Sequence, residues 1–261
     1  MNSFVRYVGI DYSGAATPEA GLSGLQVFVT AQGKGTQPVH APGEQNKRKR
    51  RWSRQTVFEW LCEEIAERGP SLIGVDHAFG FPESYLDRYR LRSWPSFLRD
   101  FVQAWPTDQK EHTVEDVRRS QRGQGKRIGA PSELRLTERW TTSAKSVFQF
   151  DVQGQVAKST HAGLPWLYRL RKRFRDRVHF WPFDGWEIPT DTSVIAEVYP
   201  SLTRNRYDRD ARTVDQQDAY SVSRWLAEMD CRGEMKRFLS PPLSREEMRL
   251  GRREGWILGV C

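Results

Sequence analysis

The chain of 261 residues carries 41 Lys and Arg against 33 Asp and Glu, which gives a formal net charge of +8. Aromatic side chains make up 12% of it, including 10 tryptophans, so we expect a folded globular protein. No apolar stretch approaches the roughly 20 residues that cross a bilayer, and the N-terminus lacks a signal-peptide pattern. We therefore expect a cytoplasmic protein without a membrane partner.

Cysteines and charge narrow the functional classes further. Cys62, Cys231 and Cys261 stand alone, without disulfide or metal-ligand spacing, which argues for reduced thiols and excludes a zinc ribbon. The excess of positive charge favours an anionic partner such as nucleic acid, although charge alone does not establish one. Whether the partner is nucleic acid therefore depends on where these charges lie.

The first half of the chain predicts strands, then a helix, then another strand. Residues 4–11 and 24–32 read as strands, and "TQPVHAP" as a short third one, which makes a meander. After the basic stretch "GEQNKRKRRWSRQ", a helix is predicted over 53–68 with Ser53 as its cap. The apolar run "SLIGVD" then predicts a buried strand that ends at Asp76.

The second half alternates between helices and strands. Residues 82–146 are irregularly helical and predict an insertion or lid, and "SVFQFDVQGQVAKS" predicts a hairpin that turns near Gly154. "LPWLYRLRKRFRDR" predicts a helix, "VHFWPF" and "SVIAEVYPS" predict strands, and residues 214–230 predict the last long helix before a short one and the apolar "GWILGV". This order predicts one α/β domain over residues 1–261, with a mixed sheet.

The last long helix places two carboxylates on its apolar stripe. At 100° per residue, Asp215 and Asp218 share the face of Val222 and Leu226, which must pack on the sheet. A capping box with Thr213 and the favourable helix dipole would explain Asp215. They explain Asp218 poorly, since it lies beyond the first turn and a buried carboxylate is costly unless it is paired or metal-bound.

Three more acids lie at or near the ends of apolar strand runs. Asp11, Asp76 and Glu197 could each cap a turn, or each could belong to a site beyond the strand ends of an α/β sheet. Together with the helix acids they supply the hard oxygen ligands that Mg²⁺ or Mn²⁺ prefers. Two-metal phosphoryl-transfer sites are built from such carboxylates.

The motifs "VGIDYSG", "IGVDHAFGFP", "AEVYPS", "DQQDAY" and "EGWILG", in this order, resemble the ribonuclease H-like superfamily. The three-residue spacing of Asp215 and Asp218 is similar to its Holliday-junction resolvase branch. The whole set looks most like a family of unknown function whose members are described as predicted ribonuclease H-like nucleases. The resemblance covers most of the chain, weakly between residues 82 and 146.

The resemblance implies a mixed five-stranded sheet flanked by helices and a site for Mg²⁺ or Mn²⁺. It implies Asp11, Asp76 and Asp218 as metal ligands, Asp215 as a catalytic acid beside Asp218, and Glu197 as a ligand or as the support of one. The acid that the ribonucleases proper carry in their first helix would be one of Glu59, Glu63 and Glu64, and nothing in the sequence singles one out.

The implied activity is metal-assisted hydrolysis of phosphodiester bonds in DNA or RNA. One alternative is a nucleic-acid-binding or scaffold protein that keeps the fold without turnover. Another is a phosphotransferase of the sugar-kinase and actin-like fold, because "DYSGAAT" resembles its phosphate loop; that fold needs two such lobes, for which the chain is short.

Several basic residues are candidates for substrate contact. Arg122, Lys126 and Arg127 lie in a glycine-containing stretch whose backbone amides could approach an anion, and Lys145 and Lys158 flank the predicted hairpin. Each could equally be a solvated surface residue, as could the "KRKRR" run. Strand alternation predicts His77 to be packed on the opposite face from Asp76, while His161 is a candidate mobile base.

Overall fold

Seven β-strands form one mixed sheet in the computed structural model of the chain, which describes residues 4–43, 51–119, 127–141, 143–151 and 156–261. The strands are β1 (Arg6–Asp11), β2 (Gln26–Ala31), β3 (Thr36–Pro38), β4 (Ser71–Asp76), β5 (Val178–Trp181), β6 (Ser193–Val198) and β7 (Ile257–Leu258). Their order is β3-β2-β1-β4-β6-β5, and β7 pairs with β6. The first three strands form the predicted antiparallel meander, and β4, β5, β6 and β7 follow the parallel direction of β1.

The fold class is therefore α/β with a mixed sheet, as predicted, but the expected count of five strands is wrong. The runs predicted as strands, including the short edge strand Thr36–Pro38 beside β2, already make six strands, β1 to β6. The C-terminal "GWILGV" also pairs with the sheet, because Ile257 and Leu258 lie in parallel register with Glu197 and Val198 of β6.

Helices cover both faces of the sheet. Within the described residues they are α1 (Arg54–Glu67), α2 (Glu83–Arg88), α3 (Trp94–Ala104), α4 (Val114–Arg118), α5 (Leu136–Trp140), α6 (Ala157–Phe174), α7 (Val214–Cys231), α8 (Met235–Leu239) and α9 (Arg245–Glu254). The short helices α2, α4 and α5 account for the irregular pattern of residues 82–146. None of the described helices combines the length and the apolar character needed to cross a bilayer.

The helix caps follow the sequence closely, whereas the predicted hairpin is wrong. Ser53 and Thr56 form a capping box at the start of α1, and Thr213 and Gln216 form one at α7. No strand forms in the described part of "SVFQFDVQGQVAKS", where α6 already begins at Ala157. Its alternating apolar residues pack separately into the core instead of pairing, so their spacing imitated a strand.

Strand alternation divides the core between the two faces. Val8 and Ile10 of β1 pack in the cluster that also holds the apolar residues of α1, α3 and α6. Leu72 of β4 packs in the second cluster, with Val222 and Leu226 of α7. A strand residue therefore points towards α7 or away from it according to its position in the two-residue repeat.

Two glycines let α7 lie unusually close to the centre of the sheet. Gly9 and Gly74 are register partners on the α7 face. A Cβ on Gly9 would lie 2.1 Å from the backbone oxygen of Ala219, and one on Gly74 would lie 2.9 Å from the side chain of Val222. Close contact brings the first turns of α7 against the ends of β1 and β4, where the predicted acids lie.

Candidate metal and catalytic site

Two aspartates end neighbouring parallel strands and lie side by side. Asp11 closes β1, Asp76 closes β4, and the two are register partners. Both lie two residues beyond a glycine of the α7 face, so their carboxylates share that face. Each of the two carboxyl groups shifts the pKa of the other. Two buried carboxylates placed together in this way disfavour the state in which both are ionised.

Helix α7 brings two further aspartates to this pair. Asp218 is 5% exposed and lies next to Ala219, whose backbone touches Gly9. Asp215 is half-buried in the first turn, beside Gly24. Thr213 and Gln216 already cap the helix, so neither aspartate is needed for capping. The predicted inward orientation of Asp218 is confirmed by its burial.

The burial of these acids raises their pKa values. Burial, and then the charges of Asp76, Asp218 and Asp215, hold the pKa of Asp11 well above its usual range. Burial and the charge of Asp218 raise the pKa of Asp76 to about 7, against the opposing effects of the hydrogen bond with Asp11 and of Arg204. Burial and Asp218 also raise the pKa of Asp215. The cluster thus has more negative charge than its surroundings offset.

Arg204 is the cation of this cluster, and the sequence analysis did not single it out. It lies in a short helical turn after β6, and its Nε and Nη2 donate to the two carboxylate oxygens of Asp218. Its charge also acts on Asp76 and Asp11. No spacing rule links residues 204 and 218, since a loop joins them, so only the folded chain reveals the pair.

The donor chemistry of the cluster fits a hard divalent cation. Carboxylate oxygens at the carboxyl ends of parallel strands are the ligands that Mg²⁺ and Mn²⁺ prefer. In the described part of the chain, however, no three His, Cys, Asp or Glu side chains are arranged to hold a metal ion. Asp218 is turned to Arg204, and the raised pKa values of Asp11 and Asp76 favour their protonated forms. A cation would have to displace Arg204 and any proton on this pair.

Glu197 does not join the cluster, because it faces the other side of the sheet. Its register partner is Val75, whose side chain packs in the cluster opposite α7. Both Glu197 oxygens accept from the guanidinium of Arg135, at 2.6 and 2.7 Å, and one also accepts from the backbone N–H of Phe79. The glutamate is thus fully engaged, and its remaining effect on the site is to raise the pKa of Asp76.

None of the first-helix acids lies with the strand-end aspartates. Glu64 accepts hydrogen bonds from Arg6 and Ser71, the first residues of β1 and β4, so it marks the opposite end of the sheet. Glu59 and Glu63 are exposed. The set that the structure brings together is therefore Asp11, Asp76, Asp215 and Asp218.

The predicted basic contacts divide into three groups. The backbone of Lys158 packs against the loop that follows Asp11, since a Cβ on Gly14 would lie 2.1 Å from the Lys158 backbone oxygen. The Lys158 side chain is directed to Glu115, with its Nζ 3.8 Å from a carboxylate oxygen. Arg127 pairs with Asp100 at 2.7 Å, and Lys145 is partly exposed between α5 and α6. Arg122, Lys126 and most of the "KRKRR" run lie outside the described residues.

The two histidines are packed and do not face the acids. His77 is 1% exposed and lies edge-on to Tyr12, with ring centroids 4.7 Å apart, as the alternation predicted. His161 is 0% exposed among aromatic rings that include Trp105 and Phe150, and burial lowers its pKa to about 3. The suggestion of a mobile base at His161 is therefore wrong.

A strip of arginine and tyrosine side chains runs along the exposed side of α7. Tyr207 and Tyr220 meet edge to face, with ring centroids 6.2 Å apart. Arg224 lies 4.4 Å from the centroid of Tyr207 and donates to the Tyr220 hydroxyl, while Arg212 stacks 3.7 Å over Tyr220. The sequence analysis missed this arginine–tyrosine strip, although the four-residue spacing of Tyr220 and Arg224 was a usable signal.

A wide groove lies apart from the acids. It encloses about 1500 Å³ and is lined by Tyr7 near the start of β1 and by Asp230 near the end of α7. The Asp230 carboxylate accepts from the Tyr7 hydroxyl at 2.7 Å. None of the four aspartates lines this groove, but Tyr220 and Arg224 of the arginine–tyrosine strip do.

Comparison of the chain with protein-family models, with curated proteins and with solved structures returned no match. The interpretation of the site therefore depends on its own geometry and charges.

Proposed function

We propose that the chain is a divalent-metal-dependent nuclease with a ribonuclease H-like fold. The observation that carries the proposal is the pairing of Asp11 and Asp76 in parallel register, with Asp218 of α7 packed against the same strand ends. A protein gains nothing in stability from collecting buried like charges, so such a cluster is more readily explained by function.

In this proposal Asp11, Asp76 and Asp218 hold Mg²⁺ or Mn²⁺, and Asp215 lies beside them. The bound metal would activate water and stabilise the oxygen that leaves from phosphorus. The chain's own residues fix the geometry: register sets the distance between the two strand-end acids, and Gly9 and Gly74 admit α7. Arg204 can release Asp218 and turn its charge towards a phosphate, because its side chain is 40% exposed.

The arginine–tyrosine strip supports nucleic acid as the substrate class. Arginines neutralise phosphates, and aromatic rings stack on bases regardless of their sequence. Arg224 has no ion pair with a carboxylate among the described residues and is held by Tyr207 and Tyr220. The net charge of +8 acts in the same direction.

The test is cleavage of labelled single-stranded DNA, duplex DNA, a four-way junction and RNA, each with Mn²⁺ and with a chelator. We expect metal-dependent cleavage of at least one substrate, lost in Asp11→Asn and Asp218→Asn. Asp176→Asn, which removes an exposed carboxylate elsewhere, should cleave as the wild type does. Cleavage that survives in both site variants would contradict the proposal.

Arg204 is the observation that favours the second candidate, a nucleic-acid-binding protein without turnover. A salt bridge to Asp218 offsets one acid without any metal. This alternative predicts oligonucleotide binding that is indifferent to Mn²⁺ and to Asp11→Asn, with no cleavage in either case.

A further inference from the structure

The ion pair between Arg204 and Asp218 engages a carboxylate that the proposed metal site needs. Arg204 Nε donates to one oxygen of Asp218 and Nη2 donates to the other. A bidentate arginine–carboxylate pair is stronger than a single neutral hydrogen bond and fixes the orientation of both groups. A cation that approaches Asp218 therefore meets a competing donor and a positive charge.

The backbone that carries Arg204 is held against α7. Gln217 is 1% exposed, and its side-chain amide donates to the backbone oxygen of Arg204 at 3.0 Å and to that of Tyr207 at 2.8 Å. These two bonds keep the turn beside Asp218 whichever way the Arg204 side chain is directed. Release of Asp218 therefore needs only a rotation of the arginine side chain.

The Arg204 side chain is accessible from solvent. It is 40% exposed, although the carboxylate that it binds is buried. Its Nη1 donates to none of the described residues. An anion from solvent can therefore reach Nη1 while Nε and Nη2 still hold Asp218.

The charges around Arg204 favour its exchange between Asp218 and a phosphate. Its charge also acts on Asp76 and Asp11, so one guanidinium offsets part of the charge of all three proposed metal ligands. A metal ion among these acids would take over that role and repel the guanidinium. Arginine binds phosphate with the same pair of N–H groups that it gives to a carboxylate.

We propose that Arg204 is a phosphate-operated latch on the metal site. Without substrate it holds Asp218, and a phosphate of the substrate draws it away and leaves Asp218 to the metal. Metal and substrate then bind with positive coupling, in which each raises the affinity for the other by the same factor. The inference rests on the proposed function and adds to it the control of metal binding by substrate.

The test is calorimetric titration of Mn²⁺ into the wild type, Arg204→Gln and Arg204→Lys, without nucleic acid. We expect Arg204→Gln to bind Mn²⁺ about tenfold more tightly than the wild type, because no guanidinium competes for Asp218. Arg204→Lys keeps the positive charge but cannot make the bidentate pair, so it should also bind more tightly than the wild type. It keeps the test decisive if Arg204→Gln fails to fold.

Sulfate is the probe for the phosphate. The titrations are repeated with sodium sulfate in place of sodium chloride at constant ionic strength. Because sulfate also binds free Mn²⁺, the proteins are compared at the same sulfate concentration. Sulfate should raise the Mn²⁺ affinity of the wild type relative to that of Arg204→Gln, which has no guanidinium to draw away. An equal effect of sulfate on the two proteins would contradict the proposal.

Arg206→Gln is the matched control. Arg206 lies in the same short turn and is 43% exposed, but it pairs with Glu228, at 3.1 Å. This variant removes the same charge and should bind Mn²⁺ as the wild type does. Tightening equal to that of Arg204→Gln would show an effect of net charge alone and would contradict the latch.

Failure of the latch and failure of the metal site give different results. If the wild type binds Mn²⁺ and neither Arg204 variant binds it more tightly, the latch is overturned and the metal site remains. If none of the four proteins binds Mn²⁺, with or without sulfate, the latch and the proposed function are overturned together.

Discussion

Two clusters of buried carboxylates lie on opposite faces of the same sheet, and they are built in opposite ways. On one face, Arg135 donates to both Glu197 and Glu138, and all three side chains are at most 4% exposed. On the α7 face, Asp11, Asp76, Asp215 and Asp218 lie near one arginine, Arg204, which pairs with Asp218 alone.

The difference lies in how far each negative charge is offset. The Arg135 cluster is saturated by charge-assisted hydrogen bonds and ties the strand β6 to the segment before α5. The strand-end cluster keeps raised carboxyl pKa values instead. We interpret the first cluster as structural, and the second is the one that we propose to bind a divalent cation. Five changes test this account.

Arg135→Met should produce the largest loss of stability. It would leave Glu197 and Glu138 buried without their cation, which costs about 3–5 kcal/mol when one partner of a buried pair is removed. Urea unfolding measures the change. Arg169→Gln, in an exposed pair with Asp108, is the control and should cost less than about 1 kcal/mol. Equal losses of unfolding free energy in the two variants would show that the Arg135 cluster is no more stabilising than a surface ion pair.

Asp76→Asn should stabilise the protein above neutral pH. The folded protein holds the Asp76 proton up to about pH 7, whereas the unfolded chain releases it near pH 4. The free energy of unfolding of the wild type should therefore fall as pH rises from about 4 to about 7 and level off above that. The variant should show a flatter profile and gain on the order of 2–4 kcal/mol above that pH.

Glu197→Gln is the matched change in the other cluster, and it should destabilise the protein, because Arg135 loses a counter-charge. Unfolding in urea between pH 5 and pH 9 separates the two. Should both variants move in the same direction, the two clusters would not differ in the way we describe.

Gly9→Ala should destabilise the protein and weaken metal binding together. The new Cβ would meet the backbone oxygen of Ala219 at 2.1 Å, so α7 must shift, at a cost of about 1–3 kcal/mol. Gly35→Ala, with only the Gln37 side chain at 3.8 Å, is the control. Mn²⁺ affinity that is unchanged in Gly9→Ala would show that the position of α7 does not set the site.

Arg224→Gln should have the smallest effect on stability and a clear effect on nucleic-acid binding. The residue lies at the surface, so we expect a stability change within about 0.5 kcal/mol. Binding of a labelled single-stranded oligonucleotide should weaken, and the slope of log affinity against log salt should fall by about 1. Lys172→Gln on α6 removes the same charge elsewhere and is the control. An equal loss of oligonucleotide affinity in this variant would show that the arginine–tyrosine strip acts only through its positive charge.

Local rules gave much of the fold from the sequence. The caps at Ser53 and Thr213 and the meander each follow from residues close together in the chain. The prediction of a hairpin over residues 146–159 is wrong in the described part, because Phe148 and Phe150 are spaced as in a strand but pack individually in the core. Its turn near Gly154 lies outside the described residues. The two-residue period of apolar side chains alone cannot distinguish a β-strand from a loop whose residues pack individually.

The site was predictable where one element decides the position of a side chain, and not where two must be aligned. Asp218 follows from helix periodicity, and Asp11 and Asp76 follow from their place at strand ends. Glu197 looked equivalent, but its register with Val75 turns it to the other face. Arg204 depends on the path of a loop, which no local pattern specifies.

Calorimetric titration of Mn²⁺ into the wild type and Asp11→Asn, each in two buffers of different ionisation enthalpy, tests the central claim most directly. The account predicts that the wild type binds Mn²⁺ near pH 6.5 and that binding releases protons held by the raised pKa values of Asp11 and Asp76, so that the heats differ between buffers. Asp11→Asn should lose this binding. A wild type that binds no Mn²⁺, or an Asp11→Asn that binds it as tightly, would contradict the account.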